Sequence, residues 1–220
     1  MFIINCKNYE EISGDRIIKF VKTAEKVSKK YNVKIAIAPP QHLIGVVSKR
    51  SIPILAQHVD VSKVGSTTGF IVPELLKKSG VKGSLINHSE HRIPAKEIES
   101  LVSKLRELKM ISVVCVRDVS EVKKYSKLHP NYIAIEPPEL IGSGKAVSKE
   151  KPELISRAVE AVKQSKNNTR LLCGAGIVSG QDVSAALGLG SKGILVASGI
   201  IKAKNWYKII EEFAMGMKNS

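Results

Sequence analysis

Residues 131–138 read NYIAIEPP and decide the fold class that we expect for the whole chain. Residues 132–135 are apolar without the alternation of a half-exposed strand, which is typical of a parallel strand covered on its outer face by helices. Glu136 then places a carboxylate at the end of the strand, and Pro137 and Pro138 open a loop. We interpret the segment as a buried strand that holds one charged side chain rigidly at the edge of a sheet.

Similar strand-like runs recur through the sequence, and helical patterns separate them. The eight runs are residues 2–4, 33–38, 54–59, 83–87, 111–116, 132–135, 170–173 and 193–196. Apolar residues with a 3.6-residue period predict helices over 15–30, 97–108 and 151–166, and shorter helices are expected after strands two, three, five, seven and eight. The helix over 119–127 has room for barely two turns.

Strand–helix alternation along the whole chain predicts an α/β protein with a parallel sheet. Eight units favour a single (β/α)8 barrel domain over residues 1–220, made compact by short helices because ~250 residues is more usual. An open doubly wound sheet is the alternative. Against it, no GxGxxG motif follows the first strand.

Composition limits the class of protein. The sequence has no apolar run near the ~18 residues that a membrane span requires and no leader-like start, so we predict a cytoplasmic protein without a membrane partner. Cys6, Cys115 and Cys173 are odd in number and widely spaced, which argues against a disulfide framework or a zinc site.

The formal net charge of +15 raises the alternative of a nucleic-acid-binding protein. However, the lysines are spread along helix-like segments, aromatic residues make up only 5% of the chain, and no zinc-finger or RNP motif is present. We therefore predict no nucleic-acid partner. We interpret the charge as solvated helix faces whose positive field helps to gather anionic substrates.

The segment after Glu136 has the composition of a lid. Pro137 and Pro138 stiffen its near end, whereas Gly142 and Gly144 give freedom at its far end. Leu140 and Ile141 supply an apolar tip that would exclude water. Glu136 is therefore a candidate general base beneath a lid. The alternative is one half of a structural ion pair beside a long surface loop.

Two other strand ends carry candidate polar groups. Asn5 and Lys7 share one face at the end of strand one because side chains alternate along a strand. After strand four, Ser89 is predicted to cap a short helical turn that Pro94 limits, so that His88 stays neutral and donates a hydrogen bond. For Asn5 and Lys7 the alternative is an ordinary strand exit with a solvated lysine. For His88 the alternative is a structural histidine. We interpret the remaining histidines as structural: His42, His58, His91 and His129.

Small residues follow the last two strands, in the segments Cys173–Gly176 and Val196–Gly199. Short side chains there allow backbone N–H groups to approach an anion, and barrels often bind phosphate at these two exits. Either segment alone is weak evidence, because small residues are common in tight turns. The pair, in this order, predicts a phosphate site.

Taken together, the motifs resemble the triosephosphate isomerase family through nearly the whole chain, in order. They are Asn5-x-Lys7, Ala56-Gln57-His58-Val59, Gly65-x-x-Thr68-Gly69, His88-Ser89-Glu90-x-Arg92, Ala134-x-Glu136-Pro137, Ile141-Gly142-x-Gly144 and Gly193-Ile194-Leu195-Val196. The short length and the two small-residue segments are similar to the archaeal branch of the family.

The resemblance implies that the chain interconverts dihydroxyacetone phosphate and D-glyceraldehyde 3-phosphate without metal or cofactor. It implies that Glu136 is the base and that His88 polarises the carbonyl. It also implies that Lys7, assisted by Asn5, balances the negative charge of the enediolate and the phosphate. Glu90 would support them. Backbone groups near five residues would hold the phosphate: Ile141, Gly142, Gly176, Ala197 and Ser198.

The resemblance also implies self-association. The loop 65–69 resembles the loop that inserts Thr68 beside the active site of a neighbouring subunit, so a homodimer or a homotetramer is expected.

The chain departs from the common bacterial and eukaryotic pattern at its lid. Glu139 stands where that pattern has tryptophan, and Arg117-Asp118 replaces a Gly-Glu pair. These paired changes lead to the hypothesis of an Arg117–Glu139 contact.

Three other functions compete with isomerisation. A phosphate-binding aldolase would need a Schiff-base lysine, for which Lys7 would have to serve, or a metal site. A metal-dependent epimerase would need clustered His and Asp ligands, which are not found. A noncatalytic anion- or RNA-binding protein would use the positive charge alone.

Overall fold

The computed structural model describes residues 1–140 and 147–218, and it contains eight parallel strands. They are β1 (Phe2–Asn5), β2 (Ile35–Ala38), β3 (Leu55–Ala56), β4 (Gly83–Ile86), β5 (Ile111–Val116), β6 (Tyr132–Ile135), β7 (Arg170–Cys173) and β8 (Ile194–Val196). The sheet runs in the order β2-β1-β8-β7-β6-β5-β4-β3. A parallel bridge between Ile37 and Ile54 joins its two ends. The predicted (β/α)8 barrel is therefore confirmed.

Helices alternate with these strands around the barrel. They are α1 (Arg16–Tyr31), α2 (Ile44–Val47), α3 (Pro73–Lys78), α4 (Ala95–Glu107), α5 (Val119–Ser126), α6 (Val147–Glu150), α7 (Pro152–Gln164), α8 (Gly180–Gly188), α9 (Ser198–Ile201) and α10 (Trp206–Lys218). The three longer helices predicted from periodicity are α1, α4 and α7. The predicted two-turn helix is the eight-residue α5, capped by Asp118, whose carboxylate accepts the Glu121 N–H at 2.9 Å.

The third strand is shorter than predicted. The sequence favours 54–59, but regular pairing covers only Leu55–Ala56. Beyond it, the Gln57 side chain turns to the neighbouring strand ends, where its Nε2 donates to the backbone carbonyls of Lys7 at 2.9 Å and Ala38 at 3.2 Å. These bonds fasten the exit of β3 to the exits of β1 and β2.

The core has two layers, because alternate strand residues point to opposite faces. Ile3, Leu55, Val113 and Leu172 belong to the layer that fills the barrel interior. A larger layer joins the outer strand faces to the helices, where Phe2 of β1 stacks on Phe213 of α10 at 5.9 Å. A filled barrel has no central channel, so a ligand site is expected at an end of the barrel.

The three cysteines are free and buried in this core. Burial raises the pKa of Cys173 to about 12 and raises the pKa values of Cys6 and Cys115 as well. A thiol that stays protonated in an apolar layer behaves as a small hydrophobic group. Within residues 1–140 and 147–218, no helix has both the length and the apolar character needed to cross a bilayer.

Candidate active site

A cavity of about 320 Å³ opens at the carboxyl ends of the strands. Seven of the residues predicted from sequence line it: Asn5, Lys7, His88, Glu136, Gly176, Ala197 and Ser198. They come from the exits of β1, β4, β6, β7 and β8. The remaining two predicted residues, Ile141 and Gly142, lie outside the residues that the structure describes, as does Gly144 of the expected lid.

Lys7 is held in an unusual backbone conformation. Its φ is 46°, in the left-handed region that non-glycine residues seldom occupy. The Lys7 N–H donates to Asn5 Oδ1 at 3.0 Å, and its carbonyl accepts from Gln57 at 2.9 Å. A conformation of this kind costs about 1–3 kcal/mol and persists where neighbours fix it. Lys7 lines the cavity, and its Nζ lies 2.7 Å from the exposed carboxylate of Glu90.

The loop that carries His88 is anchored through Asn87. Asn87 Nδ2 donates to the Cys115 carbonyl at 3.0 Å, and its Oδ1 accepts the Ile93 N–H at 3.2 Å. Arg92 Nη1 donates to the Asn87 carbonyl at 3.0 Å. These bonds fold residues 88–93 back on the end of β4, which leaves His88 buried and aimed at the cavity.

The prediction that Ser89 caps a short helical turn is wrong. Residues 88–91 form a single turn, in which the His91 N–H donates to the His88 carbonyl at 2.8 Å, and the next helix begins only at Ala95. Among the described residues, Ser89 Oγ is buried without a hydrogen-bond partner. The bonds that Asn87 makes to residues 92 and 93 close this segment into a loop that ends before α4.

Hydrogen bonding assigns the tautomer of His88 without a helix dipole. Its Nδ1 accepts the backbone N–H of Glu90 at 3.2 Å, so Nδ1 carries no proton and the neutral ring carries it on Nε2. Glu90 Oε2 lies farther from Nδ1, at 3.7 Å. The 3.4 Å approach of Asn5 Nδ2 to Nε2 is then a contact between two donors and not a hydrogen bond. The Nε2–H is left to face the cavity.

Glu136 lies opposite this proton. Its N–H donates to the Val116 carbonyl at 2.8 Å, which extends the β5–β6 pairing to the carboxyl edge of the sheet. Glu136 is 4% exposed, its Oε1 is 3.5 Å from His88 Nε2, and its Oε2 has no partner in the described part of the chain. Burying a carboxylate oxygen without a partner is costly, so this oxygen is positioned to accept a proton from a ligand.

Gly174, at the exit of β7, makes room for Glu136. A Cβ placed on Gly174 would lie 2.5 Å from Glu136 Cγ, closer than real contacts allow.

The backbone at the exits of β7 and β8 is also suited to a ligand. Gly176, two residues after Gly174, adopts φ 69°, which favours glycine. The first N–H groups of α9, at Ser198 and Gly199, have no acceptor within their own helix and line the same cavity. The β7 and β8 exits therefore combine space for the carboxylate with backbone N–H groups that have no acceptor within their own helix.

Replacing Gly174 by Ala is expected to lower kcat by about 10²-fold, because the new methyl group must displace the Glu136 carboxylate by the order of 1 Å. Steady-state kinetics measures the effect, and the melting temperature reports any loss of fold. Gly188→Ala is the matched control, since an added Cβ there meets no atom within 4 Å. An unchanged kcat in Gly174→Ala would mean that the position of Glu136 is not critical.

The hypothesis of an Arg117–Glu139 contact is wrong. Arg117, just before α5, pairs through its Nε with Glu121 Oε1 of that helix at 2.9 Å. Glu139 pairs instead with Lys151 at the start of α7, and this hydrogen bond lowers the pKa of Glu139. Leu140, predicted at the apolar tip, is buried.

Tyr9 and Lys202 also line the cavity and were missed by the sequence reasoning. Lys202 Nζ lies 4.9 Å from the centre of the Tyr9 ring, a cation–π contact between the loop after β1 and the end of α9. The two residues are 193 positions apart in sequence, and no motif links them. In residues 1–140 and 147–218, no group of three or more His, Cys, Asp or Glu side chains is arranged to hold a metal ion.

Comparison with known proteins agrees with this geometry. The family model described as triosephosphate isomerase matches residues 1–213. A triosephosphate isomerase of Cenarchaeum symbiosum is 57% identical over 217 residues, which cover 99% of this chain and 97% of the relative. Triosephosphate isomerases of Methanothermus fervidus and Methanocaldococcus jannaschii are each 45% identical, covering 99% and 96% of this chain and 98% and 97% of their own lengths.

Proposed function

The chain belongs to the triosephosphate isomerase family, which interconverts dihydroxyacetone phosphate and D-glyceraldehyde 3-phosphate in glycolysis, and we propose that Glu136, His88, Lys7 and Asn5 carry out this reaction. The observation that carries the proposal is the convergence of these four side chains, from three separate strand exits, on one cavity. In particular, the unpartnered Oε2 of Glu136 and the Nε2–H of His88 face the same space.

In the proposed mechanism, Glu136 removes a proton from the carbon next to the substrate carbonyl. That proton is weakly acidic, so its removal requires stabilisation of the negative oxygen that forms. His88 donates a hydrogen bond from Nε2 to this oxygen, and the Lys7 ammonium balances its charge. A proton then passes from the hydroxyl oxygen of the intermediate to its negative oxygen, within reach of His88 Nε2, and the protonated Glu136 returns its proton to the neighbouring carbon. One proton has moved between the two carbons and one between the two oxygens, so aldehyde and ketone exchange with no net change in electrons or protons.

Asn5 has a positioning role in addition to its contact with substrate. Its Oδ1 holds the Lys7 N–H at 3.0 Å and helps to fix the left-handed backbone. Its Nδ2 faces His88 Nε2 and, as a second donor, is placed to bind the same substrate oxygen. One amide would therefore orient the lysine and assist the histidine.

The substrate phosphate is proposed to bind between the exits of β7 and β8. Gly176, Ala197 and Ser198 lie there, and their small side chains leave backbone N–H groups accessible. Ile141 and Gly142 are proposed to complete this subsite when the lid covers it. Binding energy from the phosphate, which does not react, would then help to drive closure and exclude water from the intermediate.

The test is a coupled assay in which purified protein converts D-glyceraldehyde 3-phosphate in buffer containing a metal chelator. We expect full turnover after chelation, because the four proposed groups need no metal or cofactor. Borohydride trapping of a protein–substrate adduct would instead support the aldolase alternative. Turnover that returns only when a divalent metal is added back would support a metal-dependent epimerase.

We also propose that the chain self-associates as a homodimer or homotetramer through the loop that contains Thr68. The loop 61–70 exposes three large apolar side chains, Val61 at 49%, Val64 at 56% and Phe70 at 56%. A second depression of about 510 Å³ lies beside the catalytic cavity and is lined in part by Lys7, Glu90 and His91. We propose that the loop of another copy binds in this depression. Sedimentation over a range of concentrations measures the assembly.

Two further proposals concern the whole chain. Residues 1–220 are proposed to be one domain, because the first and last strands pair with each other, and a single cooperative unfolding transition is expected. A cytoplasmic location is proposed from the glycolytic role and from the free thiols. Cell fractionation tests the location.

A further inference from the structure

A groove of about 610 Å³ lies outside the catalytic cavity, between α1 and the segment that joins α9 to α10. Four cationic residues line it, Arg16, Lys19, Lys202 and Lys204, together with one carboxylate, that of Glu11, among the lining residues in the described part of the chain. Lys202 lines both this groove and the catalytic cavity. The groove and the cavity therefore share one cationic side chain, which lies beside the proposed phosphate subsite.

The four cations are not neutralised within the described residues. No carboxylate there lies within 4.0 Å of any of them, whereas other basic side chains are paired, as Lys30 is with Glu211 at 2.8 Å and Lys104 with Glu74 at 3.2 Å. Unpaired cations side by side raise the local positive potential and attract anions from solution. The free energy gained from an arriving anion is larger because no internal ion pair has to break first.

The aromatic side chains of the groove favour a phosphate group over a nucleobase. Trp206 already donates its indole N–H to the Ile201 carbonyl at 3.0 Å, packs edge-on against Phe20 at 5.1 Å, and has the Arg16 guanidinium 5.9 Å from its ring centre. The Tyr207 hydroxyl accepts from Lys30 at 3.2 Å. Both rings are partly buried and already engaged with cations, Trp206 with Arg16 and Tyr207 with Lys30, so the cationic lining of the groove favours a small phosphate dianion over a stacked base.

Lys202 connects the groove to the cavity through its contact with Tyr9. Its Nζ lies 4.9 Å from the centre of the Tyr9 ring, and Tyr9 shares the catalytic cavity with Lys7. A cation held over an aromatic ring keeps its charge and its capacity to donate hydrogen bonds to an anion.

We propose that this groove is an outer phosphate-capture site: Arg16, Lys19 and Lys204 concentrate the triose-phosphate dianion, and Lys202 passes its phosphate to the inner subsite beside Lys7. The inference rests on the proposed function and adds to it a second anion site with a role in substrate capture. It assigns to Lys202 an effect on the rate of encounter, which depends on long-range charge and falls as salt screens it.

Lys202→Met is expected to lower kcat/KM about 3- to 10-fold at ~0.02 M ionic strength, with most of the change in KM, and the difference from wild type is expected to shrink towards 0.3 M as screening increases. The inhibition constant of inorganic phosphate is expected to rise by a similar factor. Lys19→Met and Lys204→Met should act in the same direction with smaller effects. Lys202→Arg should restore the salt dependence.

Lys163→Met is the matched control, because Lys163 is an exposed lysine on α7 and does not line the groove. The proposal is overturned if Lys202→Met and Lys163→Met lower kcat/KM equally at every salt concentration. It is also overturned if Lys202→Met lowers the turnover of glyceraldehyde, which lacks phosphate, as much as that of the phosphorylated substrate, since a structural role would affect both. Either result leaves the proposed roles of Glu136 and Lys7 untouched, because wild-type turnover and the variants of those residues test them separately.

Discussion

Glu136→Gln is expected to lower kcat by about 10²- to 10⁴-fold, the range in which general-base catalysis contributes, while dihydroxyacetone phosphate still binds. The amide keeps the size of the carboxylate but cannot take a proton from carbon. It also relieves the burial of a charged oxygen, since Glu136 Oε2 is without a partner among residues 1–140 and 147–218. The variant should therefore fold at least as stably as wild type. Stopped-flow or coupled kinetics measures turnover, and calorimetric titration measures binding.

Glu136→Asp separates the need for a carboxylate from the need for its position. The shorter side chain withdraws the carboxylate by the order of 1 Å, which is expected to cost about 10²-fold in kcat. Turnover of Glu136→Gln equal to that of wild type would reject Glu136 as the base. Loss of binding and folding together with turnover would instead point to a structural ion-pair role.

Lys7→Ala is expected to lower kcat/KM by about 10³-fold or more, with losses in both kcat and substrate affinity. Loss of one donor to a developing oxyanion costs roughly 10²- to 10³-fold, and loss of a charged hydrogen bond to phosphate adds about 1.5–3 kcal/mol. The truncation adds no new backbone strain, since alanine and lysine are equally disfavoured at the φ of 46°. Kinetics and titration with dihydroxyacetone phosphate separate the two losses.

Lys163→Ala, the same truncation on the exposed surface of α7, is the control for the loss of one positive charge. Lys7→Arg keeps the charge but changes its position and is expected to recover only part of the activity. Intact binding of dihydroxyacetone phosphate by Lys7→Ala would contradict a role of Lys7 at the phosphate. Intact kcat would contradict its role in stabilising the intermediate.

The strand pattern made most of the fold predictable. A continuous apolar run such as residues 132–135 gives the same signal whether the sheet is open or closed, and it was the number of runs that favoured a barrel. Closure itself depends on the bridge between Ile37 and Ile54, a pairing that no local pattern indicates. The third strand was overestimated because Gln57 follows the apolar run but directs its amide to the exits of β1 and β2.

The site could be predicted where chemistry follows a strand in the sequence. Asn5, Lys7, His88 and Glu136 each stand at or just beyond a strand end, and the barrel brings such positions together. Contacts between distant loops could not be predicted in this way. Tyr9 and Lys202 come into contact because β1 pairs with β8. Glu139 forms its ion pair with Lys151 and not with Arg117.

Local propensity also failed at Ser89. A serine before an acidic residue is a good helix-start signal, but the Asn87 side chain and the Arg92 guanidinium bind the same backbone segment. Tertiary hydrogen bonds of this kind override a cap worth about 1 kcal/mol. The expected hydrogen-bond donor at His88 arises for a different reason: Nδ1 accepts the Glu90 N–H, which leaves the ring proton on Nε2.

The position of β1 between β2 and β8 has a consequence for how the protein is made. A nascent chain leaving the ribosome can pair β1 with β2 early, but the other edge of β1 stays open until residues 194–196 have been translated. Asn5 and Lys7 leave that same strand, so the charged end of the pocket acquires its final shape only when the last strand docks. Isomerase activity should consequently be the latest signal to recover during refolding, after helical content has returned.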